Sequence, residues 1–470
     1  MVVAVRFRSR GRLMSQQSPL RLADDEQLLT GWGRTAPSLA KVVQVRTVEE
    51  VQKCIEESGP RGVLARGLGR SYGDAAQSGG ASVIDLEQMS SISLDANTGT
   101  VTVGAGVSLH ELLLATVPAG FFVPVTPGTR MVTIGGAIAA DVHGKNHHVE
   151  GSFGSHMQEI KLVDGLGALR ELKPDDPQSQ EQFWATVGGM GLTGVMTEAT
   201  FKMIPISSSL ISVDTERCTD LDAVMARMIE SDSQYRYSVA WIDSVSASGR
   251  GVITSGDHAT ADQLPADKRA TALAYGPKPL AKAPGFIPSG LLNKFTVRAF
   301  NEAWFRKAPK REQGALQPIS EFFHPLDFVQ DWNRVYGPAG FVQYQFVVPD
   351  KAGEVIGAAL RKLQSVGAPS FLTVLKRFGA ANPAPLSFPQ AGWTLAADVP
   401  AGIPGLAAAL DELDELVANS GGRLYLAKDS RQSPEMFART YPRLTQWQRT
   451  RDQMDPKGIF KSDLARRLSL

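Results

Sequence analysis

Between Pro127 and His148 the chain reads PGTRMVTIGGAIAADVHGKNHH, with Gly128, Gly135, Gly136 and Gly144 set among small or β-branched residues. Glycines in such a stretch let backbone amides come close to a bulky anion. A helix favoured by Ala137, Ile138, Ala139 and Ala140, following the glycine pair, would aim its N-terminal amides and dipole at a phosphate. Taken alone, the stretch is better read as a glycine-rich loop closing the edge of a sheet. Two further runs share its character. Gly67-Leu68-Gly69-Arg70-Ser71-Tyr72-Gly73-Asp74 closes an apolar strand with a tight, amide-exposing turn. Gly189-Met190-Gly191-Leu192-Thr193-Gly194 matches the dinucleotide fingerprint G-x-G-x-x-G. That fingerprint requires a strand before it and a helix after it. Here the spacing predicts a helix over 178–187 and a strand over 195–204, so a Rossmann site is rejected and the run is kept as a third close-approach loop.

The totals narrow the classes of function. The chain has 470 residues, enough for two domains, with 49 basic and 48 acidic residues and a net charge of +1. Bulk charge gives no reason to expect a nucleic-acid partner. No apolar run reaches the roughly 18 residues that span a bilayer. Cys54 and Cys218 are too few for a disulfide framework or a zinc site, and His147 and His148 lack a carboxylate or thiol partner at ligand spacing, so no metal is expected. Arg6, Arg8, Arg10 and Arg12 interrupt the first apolar residues before a secretory core can form, and residues 1–29 read as a flexible basic arm.

From Thr30 to about Pro205, strands alternate with short helices and glycine loops. Beyond Pro205 the order is strand, strand, helix, strand, strand, helix, an α+β pattern with an antiparallel sheet and helices on one side. Within it GFVQYQFVV, over 340–348, alternates so that Gln343 and Gln345 face one way and Tyr344 and Phe346 the other. Residues 256–290 have little periodicity and read as a lid.

RGLGRSYGD, PGTRMVTIGGAIAADVHGKNHH, the loop at 188–194 and DPKGIF at 455–460 together resemble the vanillyl-alcohol-oxidase type of flavoprotein, with its PCMH-type FAD domain. TGWGRTAPS, HGKNHH, FHPLD, QYQF, YLAKDSR and ARRL resemble the branch of that family that acts on decaprenylphosphoryl-β-D-ribose. The resemblance implies a two-lobed FAD-binding domain over 30–205, a substrate domain over 206–422, and a return of 423–470 to the first domain. It implies oxidation of the ribose C2 hydroxyl to a ketone, an NAD-dependent keto-reductase partner, peripheral membrane contact and a place in the cell envelope. The absence of a visible signal argues instead for the cytoplasm.

For FAD, the resemblance points to Trp32, Arg66, Gly67, Leu68, Gly69, Arg70, Ser71 and Tyr72. It adds Gly128, Thr129, Thr133, Ile134, Gly135, Ala137, Ile138, His143, Gly144, Asn146, Gly194 and Tyr425. Many relatives hold the flavin covalently through a histidine where this chain has Arg70, so FAD is expected to be non-covalent. Lys428 and His143 are the candidate catalytic residues. Lys428 is either a base or, as favoured here, a cation orienting the sugar hydroxyl, and His143 is either a base or a residue that fixes the ring. Tyr72, Gln345 and Lys376 are candidates for sugar and phosphate contacts, and Trp241 and Phe378 for apolar walls. Phe323, Thr394 and Ala396 depart from the tyrosine, asparagine and cysteine found in relatives. An alditol or sugar-lactone oxidase of the same family is the second reading, and a flavin-fold binding protein without turnover the third.

Overall fold

The computed structural model describes residues 2–4 and 25–470 apart from Ser289. Most of the expected basic arm lies outside the described residues. Its last residues correct that expectation: Glu26–Leu29 is a strand pairing antiparallel with Ser38–Gln44, because Leu28 and Leu39 continue a ladder rather than a solvated tail.

Three sheets carry the architecture. Glu26–Leu29, Ser38–Gln44, Ser82–Asp85 and Val63–Arg66 form a four-stranded sheet in that order, whose last three strands are parallel. Parallel strands need a crossover, and Val48–Glu56, capped by Thr47 and burying Val51 and Ile55, carries the chain from Ser38–Gln44 to Val63–Arg66. A six-stranded antiparallel sheet follows, with Thr100–Gly104, Val195–Lys202 and Met157–Val163 at its centre and Val2–Ala4 on one edge. The strand Val195–Lys202 comes directly after the 188–194 loop and the helix Gln180–Thr186 before it, so this loop has the reverse of the Rossmann order.

The third sheet has eight antiparallel strands, running from Arg311–Pro318 through Leu210–Cys218, Gly251–His258, Tyr237–Ile242, Thr373–Phe378, Gly392–Pro400 and Phe341–Val348 to Arg423–Leu424. Its alternation divides the labour of its residues. Tyr344, Phe346, Leu375 and Leu395 pack under the helices Leu221–Ser231, Glu354–Ser365 and Leu406–Asn419. Their neighbours Gln343, Gln345, Lys376 and Ala396 turn the other way, into a cavity.

After this sheet the chain goes back to where it began. Trp447 is fully buried and donates to the Ala185 carbonyl at 2.9 Å, and the Asp455 carboxylate accepts the Ile459 and Phe460 amides. Phe460 then bridges to Val63 at the edge of the four-stranded sheet. Arg467 donates two 2.8 Å bonds to Asp74 and one of 2.9 Å to Asp429, joining the SYGD and AKDS turns.

Candidate active site

The loop after Val63–Arg66 is held from behind. Trp32 N donates to the Ser71 carbonyl at 2.7 Å, Gly33 N to that of Tyr72 at 3.0 Å, and Tyr72 N to that of Ala427 at 2.8 Å. Backbones meet so closely here that a Cβ on Gly31 would lie 2.0 Å from the Gly73 oxygen, and one on Gly73 1.8 Å from the Asp429 oxygen. Glycine is required at both. The amides of residues 67–71, in contrast, have no protein acceptor among the described residues. They line a cavity of about 1130 Å³. The Arg70 guanidinium stacks 3.9 Å from the centre of the Trp32 ring, and its buried Nε is unpartnered. Free amides beside an incompletely satisfied cation suit a diphosphate.

The second glycine stretch does not act as its sequence suggests. Its helix is only Ile134–Ala139, with Thr133 as N-cap. The Ile134 and Gly135 amides donate to the carbonyls of Val107 and Ala105 at 2.8 and 2.9 Å, and Gly136 N donates to Thr133 Oγ1. These donors are spent on the fold and so are not free for the phosphate expected at 133–137, whereas the amides of 67–71 are. Ile134, Ala137 and Ile138 are fully buried and do not reach the cavity. Gly135 and Thr133 remain on its wall, and Thr133 lies so close to Gly67 that a side chain there would strike it. Asn146 is also buried away from the cavity, donating to the Pro124 carbonyl at 2.7 Å.

The turn after that helix delivers His143. Asp141, at φ 40°, is fully buried and accepts from Ser152 Oγ, Gly154 N, Asn382 Nδ2 and Ser387 Oγ. Tyr425 OH donates to the Ala140 carbonyl at 2.9 Å. His143 is thereby set against Phe378, with ring centres 4.7 Å apart. Lys376 Nζ lies 3.0 Å from its Nδ1 and the Gln345 side-chain amide 3.0 Å from its Nε2. Gln345 Nε2 donates to His143 Nε2 and Lys376 Nζ meets Nδ1, so both ring nitrogens have a partner. Burial, and then Lys376, hold the His143 pKa well below its ordinary value. The imidazole is neutral with both nitrogens engaged.

Three lysines share this end of the cavity. Lys145 donates to the Phe322 carbonyl and lies 4.2 Å from the centre of that ring. Lys428 Nζ sits 3.6 Å from the centre of the Tyr72 ring. Burial brings Lys145 and Lys376 down to about 7. Lys428 is lowered by burial and partly restored by Asp398, whose own carboxyl is raised by burial. Asp398 is fully buried behind the wall, accepts from Gln343 Nε2 and leaves Oδ2 unpartnered. Trp241 lines the cavity with its indole N–H on the Phe371 carbonyl at 2.9 Å. Phe378 backs His143 and does not line the cavity.

Other expected residues fall on the same wall: Arg66, Leu68, Gly128, Thr129, Gly144, Gly194 and Tyr425. Arg66 is turned beneath its loop, donating to the Ala76 and Thr30 carbonyls, so it braces the turn. His147 accepts from Gly379 N at 3.2 Å and His148 pairs with the Tyr235 carbonyl at 3.0 Å. Sequence reasoning missed Lys145, Asp398 and the link between PGTR and FHPLD. In that link Thr129 Oγ1 and Arg130 N donate to Asp327 at 2.6 and 2.8 Å, and Thr126 Oγ1 meets His324 Nε2 at 2.8 Å.

The comparisons with known proteins agree with this geometry. Residues 39–173 match the family described as FAD binding domain, and residues 404–468 match that of D-arabinono-1,4-lactone oxidase. Decaprenylphosphoryl-beta-D-ribose oxidase of Mycolicibacterium smegmatis is 46% identical over 450 residues, covering 94% of this chain and 97% of that one. The chain belongs to the decaprenylphosphoryl-β-D-ribose oxidase family. An uncharacterised Streptomyces coelicolor protein is 38% identical over 77% of this chain and all of its own length. The solved structure of Physcomitrella patens BBE-like 1 has the same fold, with a TM-score of 0.63 at 16% identity over 90% of both chains. As a member of the decaprenylphosphoryl-β-D-ribose oxidase family, the protein is an FAD-dependent oxidoreductase acting on a CH–OH group. The cradle at 67–71 meets the demands of that cofactor, with five free amides and Arg70 for its diphosphate. Since the 67–71 loop carries Arg70 and no histidine, acid precipitation is expected to leave a colourless pellet and a yellow supernatant. A pellet that stays yellow would refute non-covalent binding.

Proposed function

We propose that the protein oxidises the C2 hydroxyl of decaprenylphosphoryl-β-D-ribose to the 2-keto sugar. This is the first half of an epimerisation that an NAD-dependent keto-reductase completes to the arabinose donor for cell-wall arabinan. The observation that carries the reading is the meeting of Lys145, Lys376 and Lys428 around neutral His143, on the wall of the same cavity as the free amides of 67–71. Buried cations with one carboxylate nearby call for an anionic ligand, and a sugar phosphodiester is one. The cell envelope fits such a substrate. No helix among the described residues is long and apolar enough to cross a membrane.

Bound FAD supplies the acceptor for the hydride leaving C2. The chain's own residues do the rest. Lys145 and Lys376 hold the phosphodiester, and Tyr72, Gln345 and Trp241 frame the sugar. His143, occupied at both nitrogens, positions Lys376 and Gln345 and takes no proton. Lys428 accepts the hydroxyl proton: burial makes its neutral amine accessible near neutrality, and Asp398 steadies the ammonium that results. The sequence favoured a permanently charged Lys428, since burial at the foot of an AKDS turn is not legible there.

The pH dependence follows. Neutral Lys428 increases as pH rises through its lowered pKa, giving an acid limb. Lys145 and Lys376 lose charge as pH rises through about 7, giving an alkaline limb. The kcat/KM profile is therefore expected to be bell-shaped about neutrality, with the alkaline limb of kcat at higher pH because the bound phosphodiester raises both lysines. A profile that rose monotonically to pH 9 would contradict the assignment.

The deciding experiment is an anaerobic stopped-flow half-reaction, in which decaprenylphosphoryl-ribose should bleach the flavin absorbance. No bleaching would overturn the proposal. Bleaching by free polyols or sugar lactones alone would favour the second reading, which the lactone-oxidase match at 404–468 keeps in view.

A further inference from the structure

We infer that the segment from Lys278 to Arg311 is a docking surface for an anionic phospholipid bilayer, with the mouth of the substrate cavity inside its footprint. The inference rests on the lipid-substrate reading above and names the surface from which that substrate enters. Its first support is exposed apolar bulk. Leu280 and Phe295 are each 83% exposed and Phe286 78%, with Leu291, Phe300 and Trp304 close to half exposed. Large apolar side chains gathered in one region of a surface mark an interaction site, whereas single ones do not.

The second support is charge. Eight lysines and arginines fall between Lys278 and Arg311, in a chain whose net charge is only +1. The one acidic residue there, Glu302, is already paired with Arg250 and Arg306. Basic residues interleaved with aromatic ones suit an anionic lipid surface, where the cations meet headgroups and the rings enter the interface.

Geometry gives the third support. The helix Lys294–Lys307, capped by Asn293, buries only Val297 and Asn301 against the body. Asn301 anchors it by donating to Asp243 at 2.8 Å. The helix therefore lies flat, with Lys294, Phe295 and Arg298 outward. Phe300 and Trp304 stack at 6.2 Å, and Trp304, Lys307 and Leu280 also line the outer end of the cavity. A polyprenyl tail can pass from bilayer to site along this ridge without crossing water.

The test uses the full chain and cosedimentation with phosphatidylglycerol/phosphatidylcholine vesicles. Binding is expected to drop at least tenfold on pure phosphatidylcholine or in high salt. Lys278→Glu with Lys294→Glu, and separately Phe286→Ser with Phe295→Ser, should each lower it at least tenfold. Both pairs should oxidise a water-soluble short-chain phosphoryl ribose at the unaltered rate, which separates docking from folding and chemistry. Failure of the unaltered protein to sediment with anionic vesicles, or full binding by both variants, overturns the inference. So does loss in the variants of binding to the purified reductase with vesicle binding intact, which would make this a protein interface. Vesicle binding without oxidation of the lipid-linked sugar would overturn the substrate reading and leave the docking surface standing.

Discussion

A Lys428→Ala enzyme is expected to purify with its full flavin spectrum and to lose about 10²- to 10³-fold in kcat. Lys428 Nζ hangs over the Tyr72 ring and has no hydrogen-bond acceptor among the described residues, so removing it breaks no scaffold contact. What disappears is the group poised to take a proton and then carry charge in a site with little water. Lys428→Arg keeps a cation that does not deprotonate near neutrality. If the cation alone mattered, arginine would restore most of the rate; on the proposal here it stays near the alanine value. Rapid flavin reduction in either variant would remove Lys428 from the chemistry.

The second large effect lies in the 67–71 loop. With valine at Gly67, the new Cβ would fall 2.2 Å from Thr133 Oγ1 and 2.6 Å from its Cγ2. Thr133 is stiff at χ1 and caps its helix, so it cannot swing aside. The 67–71 loop must move instead, at a cost of about 1–3 kcal/mol, and its free amides lose their common aim. Gly67→Val is expected to come off the column largely colourless, with FAD affinity reduced roughly ten- to a hundredfold. Circular dichroism should remain unchanged, since the strand Val63–Arg66 ends before the clash. A wild-type ratio of flavin to protein absorbance in this variant would show that the diphosphate is held elsewhere.

Much of this was legible in the chain, for physical reasons. The alternation in GFVQYQFVV reports a sheet with two unlike faces, and the strand Phe341–Val348 turns Gln343 and Gln345 to the cavity as that pattern requires. The rejection of a Rossmann site needed only the order of elements around 188–194. Long-range pairing is where local reading ended. The glycines at 135 and 136 announce close backbone approach, but nothing nearby says that Ala105 and Val107 consume the amides. Lys145, Asp327 and Asp398 look like any surface charge until the fold buries them. Asp74 and Arg467 lie almost four hundred residues apart, and no local pattern predicts that they meet.

The eight-stranded sheet has a consequence for how this enzyme can change. Residues that face the cavity alternate along its central strands with residues that hold the domain together. Drift at Ala396, on the cavity wall, can therefore reshape recognition while the layer beneath the helices is left alone. Resistance to a drug aimed at this wall should be cheap to evolve, and compounds that lean on the 67–71 backbone should be harder to escape.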